Sequence, residues 1–118
     1  MVTTMGNLNQ EKFIPLSANS SAVTEEEIKE LQPQVPNWEI KEENGIKRLQ
    51  RVFNFSDFKL ALKFTNQIGE EAENQGHHPA LLTEYGKVTV TWWTHDIQGL
   101  HYNDFIMAAK TDEIAAKS

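Results

Sequence analysis

The chain contains no cysteine among its 118 residues. That absence removes disulfides, thiolate nucleophiles and cysteine-ligated metal centres together, and it fits a reducing compartment without requiring one. No apolar run approaches the roughly twenty residues that a membrane-spanning helix needs, so no membrane partner is expected. The first residues show no basic stretch followed by an apolar one, so they do not read as a signal peptide, and the cytoplasm is the expected location. Basic residues are scarce as well: 11 Lys and Arg against 17 Asp and Glu leave a formal net charge of −6. Phosphate contacts need Lys and Arg in excess, which argues against direct binding of nucleic acid. Lys47, Arg48 and Arg51 come nearest to a basic patch and read as a solvated or edge-protecting strand face.

What is present suits one folded domain. The hydrophobic fraction is 39% and the charged fraction 24%, the balance of a globular protein with a real core. Residues 1–22 are polar and aperiodic and read as a flexible extension, with Phe13, Ile14 and Leu16 as its candidate docking residues; residues 23–118 form the domain. Thr24 and Glu27 have the spacing of a capping box, which opens a short helix with Ile28 and Leu31 facing inward and Pro33 and Pro36 ending it. Trp38 to Ile40 reads as a strand with Trp38 as packing anchor, and Glu43-Asn44-Gly45 as a turn. From Ile46 to Phe55, Leu49, Phe53 and Phe55 alternate with Arg48, Gln50 and Asn54, the period of a half-buried strand.

Ser56 is the expected cap of a long helix that runs to about Gln75. Phe58, Leu62, Thr65 and Gly69 form one stripe on it, and Leu60, Phe64 and Ile68 a second. Either the helix is deeply buried or its outer stripe meets another subunit. Pro79 to Tyr85 and Lys87 to His95 read as two strands joined at Tyr85-Gly86, and a last helix spans about Tyr102 to Ala116. The expected fold class is α+β: an αββαββα unit, a four-stranded antiparallel sheet with helices packed on one face.

Three of the four histidines fall in two short segments, His77-His78-Pro79 and Thr94-His95. A hairpin turning at Tyr85-Gly86 sets residues near 77–79 opposite residues near 93–95, so local geometry gathers the three imidazoles. Because His78 precedes a proline, its backbone is extended, and adjacent extended residues point to opposite sides. A vicinal pair of that kind is an awkward chelate, so no metal is expected. Imidazoles with ordinary pKa values of roughly 6.5 suit reactions with both an acid and a base step, such as elimination of water.

The run Glu73-x3-His77-His78-Pro79, then Tyr85, Val88, Thr94-His95, Gly99-Leu100 and Asp104, resembles the signature of the pterin-4a-carbinolamine dehydratases. Upstream, Trp38, Leu49-x-Arg51-x-Phe53, Phe55, Phe58, Ala61 and Phe64 are similar to that family's first hairpin and long helix. The resemblance covers about residues 24–116. It implies a dehydratase free of cofactor and metal that converts 4a-hydroxytetrahydrobiopterin to quinonoid dihydropterin and water, in tetrahydrobiopterin recycling. Carried over by position, His77, His78 and His95 are catalytic, with His77 leading, and Glu73, Pro79, Thr94 and Asp104 support the site. A small-molecule pterin is the implied partner, and a homodimer or homotetramer the implied assembly. Two other roles remain open: a protein-binding dimerisation cofactor or coactivator, as some animal members are, and an enzyme acting on another pterin, such as one related to molybdopterin. The family usually has Ser or Thr after Gly-Leu, where this chain has His101. Imidazole is expected to cap the last helix less well, at a cost of about 1 kcal/mol, partly offset by Asp104. His101 reads as a solvated loop residue or as a fourth imidazole near the site.

Overall fold

A computed structural model describes residues 21–117. The extension expected over residues 1–22, with its docking residues Phe13, Ile14 and Leu16, lies apart from its last two residues outside that range.

Helix α1 spans Glu25–Leu31, and its start follows from two reciprocal bonds. The Glu27 amide donates to Thr24 Oγ1 at 3.1 Å, and the Thr24 amide donates to Glu27 Oε1 at 2.8 Å. Both ends of the capping box are thus made, and two amides that the first turn leaves without helical partners are satisfied. A 3-10 turn at Gln32–Gln34 follows, with Pro33 inside it. Strands β1 (Glu39–Glu43) and β2 (Ile46–Asn54) form a hairpin about Asn44-Gly45. Both turn residues have positive φ, 54° and 79°, the geometry that matches the twist of the strands and favours Asn-Gly.

Helix α2 runs over Phe58–Gln75, β3 over Ala80–Glu84, β4 over Lys87–Trp92 and α3 over Tyr102–Ala116. The sheet order is β1-β2-β4-β3, antiparallel throughout. This is the α+β architecture expected from the alternating strands. Leu49, Phe53, Val88, Val90 and Trp92 share the inner face of the sheet and pack with Phe64, Ile68, Phe105 and Ile106 of α2 and α3; α1 adds Ile28 and Leu31 to the same core. An aromatic chain runs through it, with Phe53 and Phe64 at 4.9 Å between ring centroids and Trp38 set edge-on to Phe53 at 5.9 Å. Such pairs prefer tilted or edge-to-face approaches.

Several local expectations need correction. The cap of α2 is Asp57, not Ser56: its carboxylate accepts the Leu60 amide at 2.9 Å. The buried stripe is Ala61, Phe64, Ile68 and Ala72, and Leu60 is exposed. Phe58 and Leu62 are exposed too, at 44% and 43%, so burial within the chain does not account for the outer stripe. The three basic residues of β2 are separate rather than one solvated patch. Lys47 pairs with Glu25, Arg48 with Glu43, and Arg51 lies on the helix-covered side, bonded to Asp112 at 2.6 Å. Asp112 also accepts the indole N–H of Trp38 at 2.9 Å. Burial pushes its carboxyl up from the ordinary value, and the Trp38 and Arg51 contacts pull it partly back. Trp38 itself is fully buried, the anchor its position suggested.

Candidate active site

Three chain segments meet at the open end of the β3–β4 hairpin: the end of α2, the loop after β4 and the start of α3. Helix α2 ends at Gly76, whose φ of 67° is left-handed and easy for a residue without a Cβ. The His77 amide then donates back to the Ala72 carbonyl at 3.1 Å. This fixes where the two histidines leave the helix. Pro79 has no N–H to add to the ladder, and pairing of β3 with β4 begins one residue later, at Ala80 opposite Thr91.

The strand predicted to continue through His95 stops at Trp92. Thr94 and Gly99 exchange backbone bonds of 2.8 and 3.3 Å, closing a small loop with a 3-10 turn at His95–Ile97. The loop stops the ladder because the Thr94 amide and carbonyl are taken by Gly99. It also returns the chain to α3 within a few residues.

Asp104, in the first turn of α3, is fully buried and gathers the site. Its Oδ1 lies 2.6 Å from His77 Nε2, and its Oδ2 accepts the Thr94 hydroxyl at 2.8 Å and the His101 amide at 2.9 Å. A carboxylate out of water is stable where donors replace the lost hydration, and these groups come from three different segments. The His77 ring is itself 6% exposed and lies parallel to Trp92, 5.7 Å between centroids at 1°. His77 is therefore held by its edge and its face.

His78 has the opposite environment. Its side chain is 59% exposed, and Nε2 lies 3.0 Å from Glu73 Oε2, a carboxylate in the last turn of α2. His95 is exposed as well, its ring 4.6 Å from that of Trp93. Of the residues named from the sequence, His77, Thr94 and Asp104 form one bonded cluster, His78 and Glu73 a second, and Pro79 bounds the helix–strand junction. Among the described residues, no group of three His, Asp or Glu side chains is placed to hold a metal ion.

His101 is neither a solvated loop residue nor an empty cap. It is 9% exposed, and Nδ1 accepts the Asn103 amide at 3.0 Å while Asp104 accepts the His101 amide. Imidazole thus does the work of a capping hydroxyl, in the form with the proton on Nε2. Burial pushes its pKa down; Asp104 pulls it up, His77 pushes it down and Glu27 pulls it up, in decreasing order. Sequence reasoning missed Trp92 as the face of the His77 slot, although its place two residues before Thr94 on the inward side of β4 was readable.

A profile of the family described as "Pterin 4 alpha carbinolamine dehydratase" matches residues 21–114. A protein of Microcystis aeruginosa is 57% identical over 110 residues, covering 93% of this chain and 95% of its own length. A protein of Nitrosococcus oceani is 67% identical over 92 residues, 78% of this chain and 81% of its own. Both carry the name "Putative pterin-4-alpha-carbinolamine dehydratase". Among solved structures, a transcriptional coactivator/pterin dehydratase from Brucella melitensis superposes with a TM-score of 0.72 at 34% identity, over 80% of this chain and 99% of that one. A pterin dehydratase-like protein described as a RuBisCO assembly factor in the alpha-carboxysome is similar in fold, with a TM-score of 0.58 at 19% identity, over 70% of this chain and 93% of that one.

Proposed function

The chain belongs to the pterin 4 alpha carbinolamine dehydratase family, and we propose that it dehydrates 4a-hydroxytetrahydrobiopterin to quinonoid dihydropterin in tetrahydrobiopterin recycling. The observation that carries this reading is the His77–Asp104–Thr94 cluster, with His77 locked by Asp104 and Trp92, flanked in the chain by two exposed imidazoles: His78 next to His77 and His95 next to Thr94. In the reaction the C4a–O bond breaks and a proton is added to the departing hydroxyl, giving water. The ring N–H beside C4a gives up its proton as the new double bond forms. One molecule of water leaves, and no electrons are exchanged with the protein.

An acid and a base near the substrate suffice, and imidazole supplies both near neutral pH. Sequence reasoning gave His77 the lead, with His78 and His95 binding the pterin and sharing proton transfer. Burial of His77 and its bond to Asp104 favour a different division. His78 and His95, open to solvent, exchange the protons, and Glu73 accepts the His78 ring N–H and so sets the direction of that ring. His77 forms the wall of the site, with Thr94 and Asp104 as its support.

The test is dehydration of enzymatically generated 4a-hydroxytetrahydrobiopterin followed by absorbance, comparing the intact chain with His78→Ala and His95→Ala. Rapid turnover that falls in both variants is the expected result. Rates no faster than the spontaneous reaction would remove the dehydratase reading, and full rates in both variants would remove the division of roles.

Two or four copies are the proposed assembly. Phe58, Leu60 and Leu62, each more than two-fifths exposed on α2, offer a surface for a second copy. Leu62→Glu is expected to lower the mass seen by light scattering while leaving the circular dichroism of the fold intact; an unchanged mass argues that these residues lie outside the contact.

A further inference from the structure

The adjacent tryptophans at 92 and 93 each meet a histidine. Trp92 is fully buried and lies parallel to the His77 ring. Trp93 is half-buried on the open side of the sheet, its ring centroid 4.6 Å from that of His95 and the two planes at 45°. Successive residues of an extended chain alternate in this way. His77 has a further holder in Asp104, and His78 has Glu73. Among the described residues the His95 ring makes no hydrogen bond and no ion pair, so the indole of Trp93 is what it rests on. The backbone beneath it is already fixed by the Thr94–Gly99 bonds and by the Gln98 amide, which donates to the His95 carbonyl at 3.1 Å. What remains to be set is the side-chain torsions of one exposed imidazole.

Trp93 is held in its turn. Leu49 stands opposite Trp92 in the ladder, so the next residues along the two strands, Arg48 and Trp93, meet on the open face. The Arg48 guanidinium lies 4.3 Å from the indole centroid, within the range of a cation–π contact, and Glu43 accepts its Nη1–H at 2.8 Å. A planar guanidinium suits a flat ring better than a lysine ammonium does. This placement leaves the Nε–H of Arg48 buried with no hydrogen-bond partner, which is unfavourable for a donor. Solvent would satisfy that group better, so what Arg48 gains here is its contact with the indole.

Resting on the dehydratase reading, we propose that Trp93 and Arg48 are positioning residues for the reaction: Arg48 holds the Trp93 ring, and Trp93 holds the His95 imidazole in the orientation from which it exchanges a proton with the substrate. Neither Trp93 nor Arg48 has to touch the substrate for this. Another His95 rotamer carries the ring nitrogens out of hydrogen-bond reach of a substrate seated beside them. Misplacement of a catalytic group by about 1 Å can cost about a hundredfold in rate. Each of the three site histidines then has its own holder, Asp104 with Trp92 for His77, Glu73 for His78 and Trp93 for His95.

The experiment joins kinetics on 4a-hydroxytetrahydrobiopterin with proton NMR of the His95 ring in the substrate-free chain, its resonances assigned by their absence from His95→Gln. In wild type the indole ring current displaces them from the values of a free histidine. Spectra are taken about two units above the ordinary imidazole pKa, so that ring position and not charge is read. In Arg48→Met, which keeps the length of the side chain and removes its plane and charge, kcat is expected to fall about tenfold with KM within about twofold of wild type. The His95 resonances are expected to move toward those of a free histidine. Trp93→Leu removes the plate itself, serves if Arg48→Met does not fold, and is expected to lower kcat about a hundredfold with the same spectral change. Resonances that stay in place overturn the positioning role. So does a KM that rises while kcat holds, the pattern of a side chain that binds the substrate. A wild type no faster than the spontaneous reaction overturns the dehydratase reading and the positioning role with it, a result that the spectra distinguish from loss of the Arg48–Trp93–His95 contact alone.

Discussion

His77 and His78 are neighbours in the chain and opposites in the fold. The first ring is buried, stacked on Trp92 and bonded at Nε2 to a carboxylate that also binds the Thr94 hydroxyl and the His101 amide. The second is mostly exposed, with one carboxylate beside it. Extended backbone before a proline imposes the alternation, and the helix end at Gly76 sets which ring faces inward. The difference teaches what a pair of adjacent imidazoles can do that one cannot. The inner ring holds the end of α2 against α3 and the loop after β4; on the proposed division of roles, the outer ring is the one that trades protons with a substrate. Burial and exposure are thus divided between two neighbouring residues at one point of the chain.

The largest effect that bears on this comparison is catalytic. His78→Ala is expected to lower kcat by about 10²–10⁴-fold while changing the free energy of unfolding by no more than about 0.5 kcal/mol, as for an exposed residue. Kinetics and urea titration on the same preparation separate the two quantities. A variant that keeps its rate, or one that loses both activity and stability, would show that the outer ring is not the free one. The next effect is structural. Asp104→Ala leaves the Thr94 hydroxyl, the His101 amide and the His77 ring without their carboxylate. Buried donors so stranded cost about 1–3 kcal/mol each, so a loss of at least about 3 kcal/mol is expected in the free energy of unfolding measured by urea titration. Stability near wild type would mean that the inner ring is not held as the geometry indicates.

Much of this division was legible in the sequence, and the rest failed for reasons that can be named. Hairpin arithmetic about Tyr85-Gly86 brought residue 77 opposite residue 94, and the observed register has the same offset, although the ladder itself ends with Ala80 opposite Thr91. Alternation put His77 and His78 on opposite sides without saying which side was the core, because that depends on where α2 ends. Ser56 and Asp57 are both good caps one residue apart, and the extended backbone at Asp57, with φ −155° and ψ 174°, makes it the cap. Arg51 shares parity with Leu49 and Phe53, but its charge argued for solvent, and its partner Asp112 lies 61 residues further on. His101 was misjudged because propensity ranks imidazole as a poor cap. At this position the ring is buried beside Asp104, and Nδ1 meets the Asn103 amide directly.

That last case gives the smallest effect and the sharpest control on the inner cluster. The cap requires a lone pair on His101 Nδ1, so protonation of that nitrogen breaks it. Burial, the first of the influences on the ring, lowers the folded pKa below the unfolded value of roughly 6.5. Below that value the unfolded chain binds the proton more readily than the folded one, so stability falls with falling pH. The contribution is complete above about pH 6.5 and is lost as pH drops through the lowered folded value. Asp104 and Glu27 oppose this shift and His77 adds to it; the cap at stake is a single one, worth on the order of 1 kcal/mol. His101→Ser restores a hydroxyl cap that does not titrate, and the other three histidines are common to both proteins. Thermal melts at pH 7.5 and 5.5 are therefore expected to show a larger loss in the parent chain than in His101→Ser. Parallel losses would mean that the His101 ring keeps its proton off the cap throughout this range, and that acid acts on the fold elsewhere.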